Sequence, residues 1–524
     1  MPKRLKDFLI ALTLANLCFL SAWRTLLNPL HYSYYHWKIY PGFNEYLALL
    51  INVFLLTAVF WGVTAVARWS GKRFLVWMVR WAFLLALIIP FNDLRLQFFG
   101  TSSSGIISKL GSALSLLPFL FILLAIAVKR WRMAVFRIAV ALMLIVSPFT
   151  LITFVQGAWL AYKFRHHAAL AQDRPAIPLN SSKKPASRVI WMVFDELDQR
   201  LAFSQRPAGL ELPELDRLRH QAIFAGNAYS PASHTLQAMP SLIIGRKVSK
   251  AVQVRPDELM IRLADGKEVG WSTQPNLFSS ARAAGFDTAI VGWYHPYCRV
   301  LGSNLSSCFW EPVVDEISPL RGEPTVLKSM SHWASMFLFR IPGVFRLLKS
   351  NYDSGRSRDH IEEHLHIMEH AKAALVTREF SLTLLHFPIP HHPFIYDRAQ
   401  NSLSSRPDNN YLDNLALTDR VFGEMRRDLE LAGMWNDTTI IVTADHSWRV
   451  PPDGKVDERI PFIIKLAGQK EGKSYEGDCN TLLTSRFIMA VMNGEVTNAE
   501  AAVGWLDLNC SENQAGVTKI SSSP

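Results

Sequence analysis

The sequence predicts an α-helical membrane domain of five spans, followed by an α/β domain whose mostly parallel sheet lies between helices. Three observations predict this. Long apolar runs are confined to the first third of the chain, short β-rich runs alternate with helical patterns in the rest, and a polar segment separates the two. With 524 residues, 49% hydrophobic and 19% charged, the chain is long enough for two or more domains and too apolar to be disordered.

The membrane domain, residues 1–165, is predicted from apolar runs whose lengths are close to the roughly 17 to 25 residues that a bilayer-spanning helix needs. The first run is short and admits a second interpretation as a signal peptide, but no small-x-small cleavage site follows it, so we expect a retained helix. The runs are Phe8–Trp23, Tyr46–Ala67, Phe74–Phe91, Gly111–Val128 and Ile138–Tyr162.

Charge is distributed unevenly between the two parts. Residues 1–165 carry 17 Lys and Arg against three acids, which leaves 38 against 41 for the rest of the chain. The net charge of +11 therefore belongs to the membrane part, and no basic stripe with interleaved aromatics predicts nucleic-acid binding. Basic clusters lie near residues 3–6, 68–73 and 129–137, in alternate connections between the runs, and the positive-inside rule places them in the cytoplasm.

This orientation places everything after Tyr162 on the periplasmic or extracellular side of a bacterial inner membrane. Arg80, inside the third run, admits two interpretations: it binds a lipid phosphate, or it snorkels to the interface. Residues 166–187 are rich in Pro, Ser and Lys and predict a linker, which is followed by a folded domain over 188–500 and a tail over 501–524.

Four cysteines lie in the part expected outside, where an oxidising compartment allows disulfides. Pairing by proximity joins Cys298 to Cys308 and Cys479 to Cys510, which is one of three possible connectivities.

The α/β domain is predicted from continuous apolar strands separated by helices, a pattern typical of a parallel sheet covered on both faces. The predicted strands are Val189–Phe194, Thr288–Trp293, Phe380–Phe387, Thr438–Thr443 and Pro461–Leu466. The predicted helices are Pro213–His220, Leu236–Ile244, Pro275–Ala284, Arg358–Val376, Tyr411–Ala432 and Thr481–Met492. Ligands of such sheets bind at the carboxyl ends of the strands.

Three of these strand ends carry acids or histidines. A single acid after a strand is usually a turn or helix cap, but three such ends on one rim predict a divalent cation site. Carboxylate oxygen with imidazole nitrogen favours zinc or manganese over calcium, and a cation there lowers the pKa of a coordinated hydroxyl. The residues are Asp195, Glu196, His386, His391, His392, Asp445 and His446.

Thr235 is a candidate nucleophile, in the segment SPASHTLQAMPSLIIGR, where small hydroxyl residues precede an apolar helix. The free N–H groups and positive dipole end of a helix N-terminus bind phosphate. This segment taken alone favours an ordinary N-cap hydroxyl over a nucleophile.

Together these segments resemble the alkaline phosphatase and sulfatase superfamily over about residues 187 to 500. The layout of five spans before an exported domain resembles lipid A phosphoethanolamine transferases and lipoteichoic acid synthases. The resemblance implies that Asp195, Asp445, His446 and Thr235 bind the metal and that Thr235 is also the nucleophile. His391, in the match to His-x4-His-x-Pro, then contacts the phosphate or the leaving group.

By the same resemblance, Glu196, His386 and His392 are possible auxiliary residues. Two departures from the family pattern stand out. Ser447 replaces the more usual Gly after the Asp-His pair, and Leu-Gln-Ala follows Thr235, so the Cys/Ser-x-Pro-x-Arg core of sulfatases is missing. Formylglycine chemistry is therefore not expected, and a Thr nucleophile resembles that of the phosphotransferases and some phosphodiesterases.

The resemblance implies a metal-dependent transferase that moves phosphoethanolamine or phosphoglycerol from a membrane phospholipid through a phospho-threonine to an envelope lipid or glycan. The alternative is a membrane-tethered phosphatase, phosphodiesterase or sulfatase, in which water resolves the intermediate. A third hypothesis is a non-enzymatic envelope protein that keeps the fold. The intact set Asp195, Thr235, His391, Asp445 and His446 argues against the third.

Overall fold

The computed structural model describes residues 2–28, 31–38, 41–99, 129–163, 173–174, 176–179, 183–313, 325–341, 344–451 and 454–514. Its N-terminal part consists of helices with long apolar surfaces. Their bounds are Lys3–Cys18, Leu20–Leu27, Phe43–Trp69, Arg73–Ala86, Ile88–Phe99 and Lys129–Lys163, with a 3₁₀ turn at Tyr32–Tyr35.

Three helical segments in the described part are long and apolar enough to cross a membrane: Phe43–Trp69, Arg73–Leu94 and Ala134–Lys163. The helices Lys3–Cys18 and Leu20–Leu27 meet at a bend of 66° and add a fourth span if the pair is counted as one. The predicted run Gly111–Val128 lies outside the described residues. The structure therefore supports three or four spans, and the expected five are not confirmed.

The α/β domain is built on a mostly parallel sheet, as predicted. Its strands are β1 (Arg188–Asp195), β2 (Ile223–Tyr229), β6 (Thr288–Trp293), β7 (Ser307–Glu311), β8 (Leu382–Pro390), β11 (Thr438–Ala444), β12 (Arg459–Lys465), β13 (Lys473–Tyr475) and β14 (Cys479–Asn480). In the described part of the chain the order is β13-β2-β12-β11-β1-β8-β6-β7, with β14 also paired to β2. Only β12 runs antiparallel to its neighbours among these pairings.

Helices cover both faces of this sheet. Side chains of β1 alternate between two cores: Trp191 packs into one, and Met192 packs into the other. The helices are Pro213–Arg219, Thr235–Ile244, Leu277–Ala283, Tyr297–Leu301, Val326–Leu338, Val344–Val376, Tyr411–Leu431, Thr484–Asn493 and Ala499–Gln514. A π-helical turn lies at Arg200–Ser204, and short 3₁₀ turns lie at Trp271–Thr273, Gly302–Asn304 and Thr481–Leu483.

The sequence did not predict β2, β7, β13, β14 or the small sheets. The segment after the helix Thr235–Ile244 forms an antiparallel sheet of β3 (Val248–Arg255), β4 (Glu258–Leu263) and β5 (Glu268–Gly270). β9 (Tyr396–Asp397) and β10 (Ser402–Leu403) form a two-stranded ladder.

Both predicted disulfides are confirmed. Cys298 bonds to Cys308, and Cys479 bonds to Cys510. The second bond fastens the helix Ala499–Gln514 to the domain, so the expected boundary at residue 500 falls inside a helix. In the expected linker, the Arg174 N–H donates to the Cys298 carbonyl, which holds that stretch against the domain.

The α/β domain contacts the membrane helices directly. The helix Val326–Leu338 makes this contact. Its Trp333 is buried among side chains of the apolar N-terminal helices, and Asn52 Nδ2 donates to the Met330 carbonyl at 2.9 Å. The helix Val326–Leu338 therefore packs against the helix Phe43–Trp69.

Candidate functional site

Two neighbouring parallel strands bring their carboxyl ends together at the centre of the sheet. Phe194 pairs with Ala444 in register, so Asp195 at the end of β1 lies beside Asp445 and His446 after β11. All three side chains are buried, and one ligand atom from each lies within 4.8 Å of the others. The His446 Nε2 atom is 3.3 Å from Asp445 Oδ2 and 3.8 Å from Asp195 Oδ1.

Thr235 completes this group. It is the first residue of the helix Thr235–Ile244, and its Oγ1 atom lies 3.3 Å from both Asp195 Oδ2 and His446 Nε2. The N-cap position belongs to His234 instead. The hydroxyl therefore faces the Asp195 and His446 side chains rather than capping the helix. The helix ends at Gly245, whose φ of 67° lies in the left-handed region typical of a helix C-terminus.

Hydrogen bonds from the backbone orient these side chains. Asp445 Oδ1 accepts from the N–H groups of Glu196 and His446 at 3.2 and 2.7 Å, which leaves Oδ2 facing the group. His446 Nδ1 lies 2.9 Å from the Ser447 carbonyl, which only accepts hydrogen bonds. The proton of the neutral ring is therefore on Nδ1, and the Nε2 lone pair points to the group, as in metal-binding histidines.

The donor set fits a divalent cation. In the described structure, Asp195 Oδ1 and Asp445 Oδ2 are buried without a hydrogen-bond partner, a costly state for carboxylate oxygens. Burial first, and then the neighbouring Asp445 and Glu196 carboxylates, raise the pKa of Asp195 well above its ordinary value. A cation among these oxygens and the imidazole nitrogen gives the two carboxylate oxygens a partner and offsets the repulsion between the carboxylates.

A second group of possible ligands lies at the same rim. Ligand atoms of Glu196, His391 and His392 lie within 4.8 Å of one another, and the His391 N–H donates to the Asp195 carbonyl at 3.1 Å. Desolvation, and then His392, lower the pKa of His391 well below its ordinary value, and desolvation lowers that of His392 to about 4. Glu196 has a φ of 64°, an unusual value for a non-glycine residue.

Sequence reasoning missed Arg449 and His234. Arg449 Nε donates to Glu196 Oε1 at 3.0 Å, and its Nη1 contacts His234 Nδ1. A guanidinium beside this group of histidines supplies the positive charge that a phosphate or sulfate ester needs. The signal that it offered was its place four residues after Asp445 in the loop after β11.

His386 is the one predicted site residue that the described structure leaves outside both groups. It lies in β8 beside Val193, fully buried, with Nδ1 3.0 Å from the Tyr297 hydroxyl. Desolvation lowers its pKa to about 4. This neutral histidine packs beneath the site.

The comparison with family models matches residues 188–492 to the sulfatase model. The chain belongs to the sulfatase family. It is thus an enzyme of the sulfatase-like phosphotransferase or hydrolase type. Enzymes of the sulfatase family use a divalent metal, which agrees with the donor set of Asp195, Asp445 and His446.

Three solved structures illustrate the similarity of this chain to known folds. Ps i-CgsB bound to k-i-k-neocarrahexaose is 14% identical, with a TM-score of 0.41, and the match covers 61% of this chain and 74% of that one. Phosphonate monoester hydrolase from Silicibacter pomeroyi is 16% identical, with a TM-score of 0.36, and the match covers 58% of this chain and 73% of that one. Lipoteichoic acid synthase LtaP from Listeria monocytogenes is 13% identical, with a TM-score of 0.37, and the match covers 60% of this chain and 76% of that one. The search of curated proteins gave no match.

Proposed function

We propose that this sulfatase-family enzyme transfers a phospholipid head group, phosphoethanolamine or phosphoglycerol, to an envelope glycan or lipid through a phospho-threonine at Thr235. One observation carries the proposal. The Thr235 hydroxyl lies at a helix N-terminus, 3.3 Å from both Asp195 Oδ2 and His446 Nε2, in a buried group that fits a cation. A threonine in this place has no route to formylglycine, so the side chain itself is the nucleophile.

Asp195, Asp445, His446 and the Thr235 hydroxyl would hold one divalent cation, zinc or manganese. When bound, the cation supplies positive charge that favours the alkoxide form of a nearby hydroxyl. The Thr235 hydroxyl donates its hydrogen bond to Asp195 Oδ2, so that carboxylate accepts the proton. The helix dipole favours the negative charge that develops at the phosphate oxygens.

In the first step, Thr235 Oγ1 bonds to phosphorus while the bond from phosphorus to the diacylglycerol oxygen breaks. His391 donates a proton to that oxygen, because an approaching phosphate raises the pKa that desolvation has lowered. In the second step, His391 takes the proton of the acceptor hydroxyl, whose oxygen bonds to phosphorus while the bond from phosphorus to Thr235 Oγ1 breaks. Asp195 returns its proton to Thr235 Oγ1, which restores the hydroxyl.

The membrane part supports a lipid donor. The described chain contains apolar helices suited to membrane anchoring, and the helix Val326–Leu338 packs against one of them. The α/β domain is thereby held next to the bilayer, where a phospholipid presents its head group. We place this domain on the periplasmic or extracellular side of a bacterial inner membrane, following the basic clusters of the sequence.

Peptide mass spectrometry on protein purified with its native lipids tests the proposal. The peptide containing Thr235 is expected to carry a phosphoethanolamine or phosphoglycerol adduct, which identifies the donor. The adduct disappears in Thr235→Ala and persists in Ser233→Ala, which removes an exposed hydroxyl two residues away. An active enzyme whose Thr235 stays unmodified under acid quench contradicts the proposed nucleophile.

The family match favours hydrolysis as a second candidate, in which water replaces the acceptor. A bare phosphate on Thr235 and steady release of soluble product without a lipid acceptor would support a phosphatase or phosphodiesterase. Turnover of p-nitrophenyl sulfate would support a sulfatase.

A further inference from the structure

The connection between the helices Leu20–Leu27 and Phe43–Trp69 enters the α/β domain. We name residues 31–38 of this connection the strap. Tyr35 is 0% exposed and belongs to the main core of that domain, and Trp37 is 1% exposed. Arg299 of the α/β domain donates to the Trp37 carbonyl at 2.7 Å, and Lys38 pairs with Glu311 at 3.5 Å. The strap is thus packed as part of the catalytic domain, although it belongs to the membrane part in sequence.

A chain of hydrogen bonds leads from the strap to the Thr235 backbone. The Tyr35 hydroxyl lies 2.8 Å from His295 Nδ1, and His295 Nε2 lies 3.0 Å from the Thr235 carbonyl oxygen. Because that carbonyl only accepts, Nε2 carries the proton, Nδ1 accepts, and the Tyr35 hydroxyl donates. Tyr35 and His295 are fully buried and Thr235 is 5% exposed, so water does not replace these bonds.

The strap also supports the turn that presents His295. Tyr294 has a φ of 73°, a strained conformation for a bulky residue. His36 of the strap contacts the Tyr294 carbonyl through Nδ1 at 3.1 Å, and the Tyr294 N–H donates to the Glu311 carbonyl at 3.2 Å. These contacts hold the turn from both sides.

We propose that Tyr35 and His295 are positioning residues, and that the strap makes the membrane part a component of the catalytic centre rather than an anchor alone. This inference rests on the proposed role of Thr235 as nucleophile. Loss of the Tyr35 hydroxyl leaves His295 Nδ1 without its donor, which loosens the ring that fixes the first residue of the nucleophile helix.

The test uses the full chain in detergent, its divalent metal, and bis(p-nitrophenyl) phosphate as the probe. Tyr35→Phe is expected to lower kcat about tenfold with KM unchanged, since one buried hydrogen bond is lost while substrate contacts remain. Tyr34→Phe is the matched control, because the Tyr34 hydroxyl lies in the same turn but donates to the Thr25 carbonyl at 2.7 Å. His295→Gln, which keeps an N–H donor, is expected to retain more activity than His295→Ala.

The outcomes separate the two ideas. If Thr235→Ala keeps full activity, the proposed nucleophile is wrong. If Thr235→Ala is inactive but Tyr35→Phe and Tyr34→Phe have the same kcat, the nucleophile stands and the positioning role is overturned. The role is also overturned if kcat of Tyr35→Phe falls only in proportion to a loss of folded protein, measured by tryptophan fluorescence.

The N-terminal helices enclose a cavity of about 360 Å³. The helices around it are Lys3–Cys18, Phe43–Trp69, Arg73–Ala86 and Lys129–Lys163. Five cationic side chains and one carboxylate, Asp7, line it together with apolar residues; the cationic ones are Lys3, Lys6, Arg68, Arg80 and Arg137. Only Arg68 is neutralised by Asp7 among the described side chains of the lining, through a hydrogen bond of 2.6 Å.

This cavity is remote from the α/β domain. Asn52, near the start of the helix Phe43–Trp69, contacts that domain, whereas Arg68, near its end, lines the cavity. Their separation of 16 positions along the helix corresponds to roughly 24 Å at about 1.5 Å per residue. The cavity therefore faces the leaflet opposite the active site.

We infer that this cavity binds an anionic phospholipid, whose phosphate meets the cationic side chains while its acyl chains cover the apolar lining. A soluble anion would leave the apolar lining without a partner. Arg80 then binds a lipid phosphate, which is the first of the two interpretations that its sequence position allows.

Native mass spectrometry of full-length protein in nanodiscs containing phosphatidylglycerol and phosphatidylcholine tests this inference. Arg80→Gln with Arg137→Gln is expected to weaken phosphatidylglycerol retention about 30-fold. Lys72→Gln with Arg73→Gln removes the same charge from side chains outside the cavity lining and is expected to retain the lipid. Equal retention in both double variants overturns the inference, and so does displacement of the lipid by millimolar inorganic phosphate.

Discussion

The substitution Asp445→Asn is expected to stabilise the metal-free protein and to abolish its stabilisation by metal. Asn keeps the oxygen that accepts from the Glu196 and His446 N–H groups, so the local backbone bonds survive. It replaces Oδ2, which is buried without a hydrogen-bond partner among the described residues, with a neutral amide. One variant thus separates the charge of the side chain from its shape.

The magnitude follows from the separation of the carboxylates. With ligand atoms of Asp195 and Asp445 within 4.8 Å, two full charges repel by about 3 kcal/mol at an effective dielectric constant of about 20. Protonation of Asp195, whose pKa is raised, relieves part of this at neutral pH, so about 1 to 3 kcal/mol is the expected gain without metal. Metal at 100 times its dissociation constant stabilises the wild type by about 2.7 kcal/mol.

Thermal unfolding followed by tryptophan fluorescence measures both effects, in EDTA and in excess zinc or manganese. In EDTA the midpoint of Asp445→Asn is expected to rise by about 2 to 6 °C, and metal is expected to add almost nothing. Asp437→Asn is the control, because it removes an exposed acid beside the opposite end of β11. A midpoint in EDTA that is unchanged or lower refutes the charge argument, and full metal stabilisation of the variant refutes Asp445 as a ligand.

Three further predictions test other parts of the molecule. Arg449→Gln is expected to lower kcat/KM for a phosphodiester about tenfold because a charged donor at the site is lost, whereas Arg459→Gln, which changes a half-buried arginine of β12 paired with Asp457, leaves the steady-state rates unchanged. In EDTA, lowering the pH from 8 to 5 stabilises the wild type relative to Asp195→Asn in thermal unfolding, because a carboxyl with a raised pKa destabilises the fold once it ionises. Replacing Cys479 and Cys510 with Ser lowers the unfolding free energy in urea by about 3 to 4 kcal/mol, from a closed loop of 31 residues, and an unchanged midpoint contradicts this loop-entropy argument.

Local patterns in the sequence determined much of this protein. Apolar runs predicted the long N-terminal helices, because a helix that spans a bilayer needs a long apolar segment whatever structure follows it. Continuous apolar stretches set β1 and β11, because strands in the middle of a parallel sheet are buried on both faces. The residues after these strands, Asp195 and Asp445, were predicted because strand ends are where such sheets bind ligands.

The sequence missed elements whose local signal is weak. β2, with the sequence IFAGNAY, mixes Gly and Asn into a strand and has three partly exposed positions, so it lacks a continuous apolar run. The strands β3 to β5, with the sequences VSKAVQVR, ELMIRL and EVG, mix charged and polar residues with apolar ones, so no long continuous apolar run marks them. Arg449 had no periodic pattern around it, since it lies in a loop.

Only the tertiary structure decided which distant residues meet. β1 pairs with β11 across 250 residues of chain, which brings Asp195 to Asp445, and the helix N-terminus then adds the Thr235 hydroxyl at 3.3 Å. The bond from Tyr35 to His295 joins residues 260 positions apart. Local hydrophobic patterns fix where a strand or helix forms, whereas strand order and the insertion of a loop into a core depend on contacts between distant segments. These contacts bring the side chains of Asp195, Asp445 and Thr235 together, so the sequence named these candidate residues and the fold set their geometry.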